Sequence, residues 1–334
     1  MANKKCDKLD YLCLSAMLKA REARMLTGEK AERMLAAPSV EEAAKLLCDC
    51  GYEDMSAMSA KQIEKALGVR QAELLSELEK LSPDKSLVAV FRIKYDYHNA
   101  KTVIKANAES ETRLDLLSNC GRINAQTLLE CCTEDDYRGL PKELEKAMVE
   151  AKSILARTAN PQLADFVLDK ACYAEMLAAA DESGSEFLTG YVKLLIDGIN
   201  LRSAVRTARM GKDADFLSVA LIPGGNIDAS RVCAASDSAE SLAALYANTV
   251  LEKAAVSGAE AISGGRMTAF EKACDNAINE YLKKAKLVAF GPEAVTAFLA
   301  AQETEITAVR IMLTGRLAGI APETIQERLR DLYA

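Results

Sequence analysis

Asp197-Gly198-Ile199-Asn200-Leu201-Arg202 is the stretch that decides how this chain is built, because it recurs. One likeness lies upstream, Asp96-Tyr97-His98-Asn99-Ala100-Lys101, and one downstream, Glu305-Ile306-Thr307-Ala308-Val309-Arg310. Each reads acid-x-x-(Asn or Ala)-x-base. Each is followed by aliphatic helix formers and then by a glycine before an isoleucine: Gly121-Arg122-Ile123, Gly225-Asn226-Ile227 and Gly319-Ile320. A unit used three times suits a shaped binding body better than a single active site.

On a helix, residues three apart share a face and residues five apart do not. Asp197 therefore lies with Asn200, as Asp96 does with Asn99, while Arg202 points elsewhere. A helical wheel puts Leu188, Leu195 and Ile199 in one apolar stripe, roughly opposite Asp197, and Arg202, Arg206 and Arg209 extend it. This predicts a helix buried along that stripe whose last turns emerge, where cations complement the helix dipole. The equivalent bases are Lys101 and Lys105 in the first copy. In the third they are Arg310 and, at the following position, Thr314, with Arg316 nearby. Two readings stand side by side. The motif is architectural, its acids and amides bonding backbone ends and its cations paired within the fold. Alternatively, the cations also meet a partner protein.

Helical periodicity covers most of the sequence. Leu9 to Leu35 reads as one or two helices, and Ser39 as the cap of the next, with Glu42 as capping-box partner. Ser59–Leu67 and Gln71–Leu81 read as two short helices, and Ser82-Pro83-Asp84 turns into the first motif helix. Pro161–Ala180 and Glu186–Met210 follow, with Gly211 as a stop. Ser241–Ser257 and Met267–Phe290 come next, and Gly291-Pro292 opens the last motif helix. No segment shows convincing strand alternation, so the predicted class is all-α. The repeats divide the chain into units 1–137, 138–235 and 236–334, packing on one another as a monomer.

Composition narrows the function. Of 334 residues, 50% are hydrophobic, only 5% aromatic and none Trp, which favours helix–helix packing. The net charge of −7, from 42 basic and 49 acidic residues, argues against a general nucleic-acid binder. No pair among the ten cysteines has C-x-x-C spacing, and there is a single histidine, so no metal site is expected and the thiols read as free. The polar start from Met1 to Lys8 is unlike a signal peptide, and no apolar run is long enough to span a bilayer. There is no G-x-x-x-x-G-K-[ST] phosphate loop; the glycine pairs at 224–225 and 264–265 lack that context. His98 stands where the other copies have Ile199 and Thr307, so no shared proton role follows. An all-α isoprenoid-synthase-like enzyme would need D-D-x-x-D carboxylates for magnesium, and Glu134-Asp135-Asp136 and Asp181-Glu182 do not supply them. A helical scaffold or adaptor is the other alternative. No cofactor and no catalytic residue is expected.

The tail from Glu305 to Tyr333 resembles the C-terminus of the C subunit of prokaryotic V/A-type ATPases, whose eukaryotic counterpart is the d subunit. Tyr95-Asp96-x-x-Asn99-x-Lys101 and Asp197-x-x-Asn200-Leu201-Arg202 are similar to two further motifs of that family. The resemblance runs from about Tyr11 to the end; Ala308 stands where the other two repeats have Asn. It implies a funnel of three similar helical domains with pseudo-threefold symmetry. It further implies a non-catalytic socket on the cytoplasmic side of the membrane rotor ring (the proteolipid subunits), in which the central-shaft subunits seat.

Overall fold

The computed structural model describes residues 7–109 and 114–334, and among these the chain is helical with no β-strand. Most of the polar start, up to Cys6, lies outside the described residues. In order the helices are α1 (Leu12–Glu22), α2 (Gly28–Ala36), α3 (Val40–Lys45), α4 (Ala60–Leu81), α5 (Lys85–Ala108), α6 (Ala125–Glu134), α7 (Lys142–Thr158) and α8 (Pro161–Ser183). They continue as α9 (Glu186–Arg209), α10 (Ala214–Ala220), α11 (Ala229–Ala235), α12 (Ala239–Leu245), α13 (Glu252–Ile262), α14 (Met267–Lys283), α15 (Pro292–Leu317) and α16 (Pro322–Arg328). The three motif copies fall on α5, α9 and α15, the last being 26 residues long.

Polar residues start several of these helices. Asp84, Asn160 and Ser185 accept from Ser86 N (2.9 Å), Gln162 N (3.0 Å) and Leu188 N (3.3 Å), satisfying amides that a helix start leaves unpaired. Ser39 does the same for α3, accepting from Glu42 N at 3.2 Å. Gly211 takes a φ of 63° just beyond α9, the left-handed conformation that ends a helix.

Several expected boundaries move. Ser59–Leu67 and Gln71–Leu81 are one helix, α4. Gly68 between them weakens a helix without breaking it, and the buried series Ile63, Leu67, Gln71, Leu75, Leu78 runs across it in unbroken period. Ser241–Ser257 is two helices, α12 and α13, and α14 stops at Lys283 rather than Phe290. The stripe predicted for α9 is also corrected: Leu195 and Ile199 are half-buried, whereas Asp197 and Asn200 are buried with Leu188, Ile196 and Leu201. A helix covered on several sides has no single apolar stripe, so the polar motif faces inward.

The chain divides by contact into two compact units. One combines the N-terminal segment up to Leu74, Leu81–Pro83 and Asp237–Ala334. Its core joins Leu26, Met34, Leu47, Met55, Ile63 and Leu67 to Ile306, Val309, Met312 and Leu313 of α15. The other unit holds Leu75–Lys80 and Asp84–Ser236. There α5 packs along α8, and α8 also packs on α7 and α9. Phe91 of α5 stacks on Tyr191 of α9 with ring centroids 5.8 Å apart.

Candidate functional site: three acids that anchor helix starts

Each motif acid is buried in its unit, and each holds the backbone that enters a following helix. Asp96 Oδ1 accepts from Ile123 N at 3.1 Å, and Oδ2 accepts from Arg122 Nε at 2.7 Å. Asp197 Oδ1 accepts from Ile227 N at 3.0 Å, and Oδ2 accepts from Asn226 N (3.2 Å) and Asn226 Nδ2 (2.8 Å). The next residue in each case is a helix cap. Asn124 accepts from Gln126 N and Asp228 from Ser230 N, both at 2.8 Å, starting α6 and α11.

Three residues along the same face, the amide side chains complete the clamp. Asn99 donates Nδ2 to Ser118 O and accepts from Ser118 N, both at 2.8 Å. Asn200 donates to Ile222 O at 2.7 Å and accepts from Ile222 N at 2.8 Å. An amide that both donates to and accepts from one backbone residue fixes that loop in one register.

The third copy is closed from the other end of the chain. Glu305 Oε2 accepts from Leu26 N at 2.7 Å, and Oε1 accepts from Tyr52 Oη at 2.7 Å. Thr27 then caps α2, its Oγ1 accepting from Lys30 N at 3.3 Å. Leu26-Thr27-Gly28 thus occupies the place of Ile123-Asn124-Ala125 and Ile227-Asp228-Ala229. The expected follow-on, Gly319-Ile320, is instead the end of α15: Gly319 has φ 71° and Ile320 N donates to Gly315 O at 2.9 Å. Ala308, where the others have Asn, is buried and offers a methyl group to the same face.

Glycine in the first two loops is a matter of space. An added Cβ would lie 2.4 Å from Asp96 Oδ1 at Gly121, and 2.2 Å from Asp197 Oδ1 at Gly225. The residue at that place in the third loop is Arg24. There the acid is Glu305, longer by one methylene than Asp96 and Asp197.

Burial raises the pKa of all three carboxyls, and hydrogen bonds oppose the shift. At Asp96 the Arg122 guanidinium is the main opposing influence; at Asp197 the backbone N–H of Ile227 leads, and at Glu305 that of Leu26. Tyr52 is pushed far up by burial and by the Glu305 charge, so it stays a donor. Arg70 lies over its ring, 3.9 Å from the centroid.

Lys101 and Lys105 of α5 meet Asp169 (2.5 Å) and Asp165 (2.7 Å) of α8. One turn earlier Tyr97 donates to Glu175 at 2.9 Å, which also pairs with Arg122 at 2.7 Å. Arg310 of α15 pairs with Glu64 of α4 at 2.7 Å. Arg202 is half-buried and Arg206 exposed. Arg316 caps the end of α2, donating to Met34 O, Leu35 O and Ala37 O. His98 lies with Nε2 3.0 Å from Leu116 O. Among the described residues no cluster of three or more His, Cys, Asp or Glu could hold a metal, and no helix is long and apolar enough to cross a membrane.

The sequence reading located the acids and amides but not what they hold. Arg122, Glu175, Tyr52 and the Leu26 amide were missed. The signal for Leu26 was present as an aliphatic residue, a capping residue and a small residue in series, but it lies before its repeat rather than after it.

These carboxylates act as acceptors for helix starts within an all-helical fold. A family model described as ATP synthase (C/AC39) subunit matches residues 14–328, and the chain belongs to that family. It is 21% identical to the C subunit of the V-type sodium ATPase of Enterococcus hirae, over 97% of this chain and 99% of that one. It is 26% identical to the C subunit of the A-type ATP synthase of Methanocaldococcus jannaschii, over 98% of this chain and 88% of that one. With the corresponding A-type ATP synthase C subunit of Pyrococcus furiosus it shares 24% identity, over 95% and 89% respectively.

Proposed function

We propose that this chain is the non-catalytic central-stalk socket of a rotary V/A-type ATPase. Three like helical units, 1–137, 138–235 and 236–334, surround a pseudo-threefold axis as a funnel. The central-shaft subunits seat in it, and the membrane rotor ring lies beneath it on the cytoplasmic side. Torque passes between shaft and ring during ATP-driven or ATP-synthesising ion transport. The observation that carries this reading is the family match across 14–328, together with relatives aligned over most of both chains.

The geometry supports a mechanical role. In each copy a buried acid ties one long helix to the start of another by hydrogen bonds of 2.7–3.1 Å. Such ties resist sliding between helices, as a coupling body requires. In this role Lys101, Lys105 and Arg310 brace neighbouring helices through their ion pairs with Asp169, Asp165 and Glu64.

Affinity purification of the tagged chain from its native membranes tests the proposal. Shaft, ring and nucleotide-binding subunits of a rotary ATPase are expected in stoichiometric amounts. Recovery of the chain with unrelated proteins only would favour a scaffold elsewhere, and ATP hydrolysis by the isolated chain would overturn the non-catalytic role.

A further inference from the structure

The connections that lead into the three motif helices are unalike. Ser82–Asp84 enters α5 and Gly184–Ser185 enters α9, each short and polar. The third connection is Lys284-Ala285-Lys286-Leu287-Val288-Ala289-Phe290-Gly291. No acidic residue occurs between Glu280 and Glu293, in a chain whose net charge is −7. Leu287 is 91% exposed, the most exposed of the large apolar residues described.

This segment is held in shape. Lys284–Leu287 is a 3-10 turn, and Ala285 within it is buried. The Lys284 ammonium lies 5.1 Å from the centroid of the Tyr281 ring, and that of Lys286 lies 4.7 Å from Tyr333. Lys283 pairs with Glu280 at 2.5 Å. At the far end Gly291 N donates to Ser15 Oγ at 3.2 Å, and Pro292 starts α15. A leucine presented on a braced turn loses little freedom on binding, which is how a protein anchor gains affinity.

Resting on the socket reading, we propose that Lys284–Phe290 is a docking peg that fixes the rotational register of the socket on its partner. Leu287 enters an apolar pocket on a neighbouring protein of the rotary complex, and carboxylates on the pocket rim meet Lys284 and Lys286. Three similar repeats meet a partner in three similar ways unless one repeat carries an unlike element. This connection is that element, and its charge is opposite to that of the whole chain. Complementary charge at such a contact sets register and association rate, and the buried leucine sets residence time.

Rebinding to membrane vesicles that carry the rotary complex stripped of this chain provides the test. Leu287→Ser and Lys284→Glu are compared with the wild-type chain, and melting temperatures confirm that both variants fold. Leu287→Ser is expected to bind about tenfold more weakly or worse, as loss of a buried leucine implies. Lys284→Glu is expected to slow association, with the defect shrinking at high salt. Wild-type affinity in both variants would overturn the peg while leaving the socket reading intact. Failure of the wild-type chain to rebind would remove the socket reading and the peg with it. Binding of the wild-type chain to protein-free anionic vesicles, lost in Leu287→Ser, would assign the turn to lipid and overturn the protein partner.

Discussion

Gly225 and Asp197 approach so closely that a single methyl group has no room between them: a Cβ at Gly225 would sit 2.2 Å from Asp197 Oδ1. The carboxylate cannot retreat without releasing Ile227 N and both nitrogens of Asn226. Gly225→Ala is therefore expected to lower stability by about 2–3 kcal/mol, in the range of overpacked cores. Gly28→Ala is the control, since a Cβ there meets nothing within 4 Å. As a helical site it should gain about 0.5–1 kcal/mol. Urea denaturation of both variants checks the contrast, and equal effects would contradict the close approach.

Tyr52→Phe should expose how the third repeat is closed. The substitution keeps the ring under Arg70 but removes the hydroxyl that donates to Glu305 Oε1. A buried carboxylate oxygen left without its donor costs about 1–3 kcal/mol. Amide exchange would localise the effect: Leu26 N, whose acceptor is the same carboxylate, should lose protection together with the start of α2. Destabilisation that spares Leu26 would mean that the two ends of the Glu305 clamp act independently.

How much of this was legible in the sequence depends on distance along the chain. The all-α class follows from local periodicity and caps: Ser82–Asp84 and Gly211 behave as read, and Ser39 caps α3 through Glu42 N, which is one half of the expected capping box. The inward face of Asp197 was not legible from the wheel, because α9 is covered on several sides. The partner of Glu305 lies 279 residues away at Leu26, and a repeat reading looks after the motif rather than before it. The glycines at 121 and 225 were visible as a pattern, but their reason, an oxygen in the space of a methyl group, needs coordinates. Among the cations, spacing alone could not say that Lys101, Lys105 and Arg310 meet Asp169, Asp165 and Glu64, which lie on other helices.

Arg122 and Lys101 look alike as paired cations and should behave differently. Lys101 and Asp169 both remain partly exposed, so Lys101→Ala should cost at most about 1 kcal/mol. Arg122 bridges Glu175 and Asp96, and the Asp96 side chain is 0% exposed. Arg122→Ala strands that buried charge and should cost about 3 kcal/mol or more. Thermal unfolding of the two variants at matched salt tests the ordering; a larger loss for Lys101→Ala would reverse it.

The Asp197 carboxyl predicts a pH dependence of definite sign. Burial raises its pKa in the folded chain above the ordinary carboxylate value, despite the donors of Ile227 and Asn226. The folded state therefore holds this proton more tightly than the unfolded state does. Its contribution is full below the unfolded pKa of about 3.9 and is lost as pH rises through the higher folded value. Asp197→Asn removes that titration while keeping an oxygen to accept from Ile227 N. Chemical denaturation of both proteins from pH 3.5 to pH 7 is the measurement. The stability difference, wild type minus Asp197→Asn, should fall with rising pH across the interval between the two pKa values and level off above it. Acid unfolding of other groups cancels from that difference to the extent that they titrate alike in both proteins. A difference that rises with pH would mean that the three N–H donors outweigh burial and hold the Asp197 carboxylate below, not above, its ordinary value.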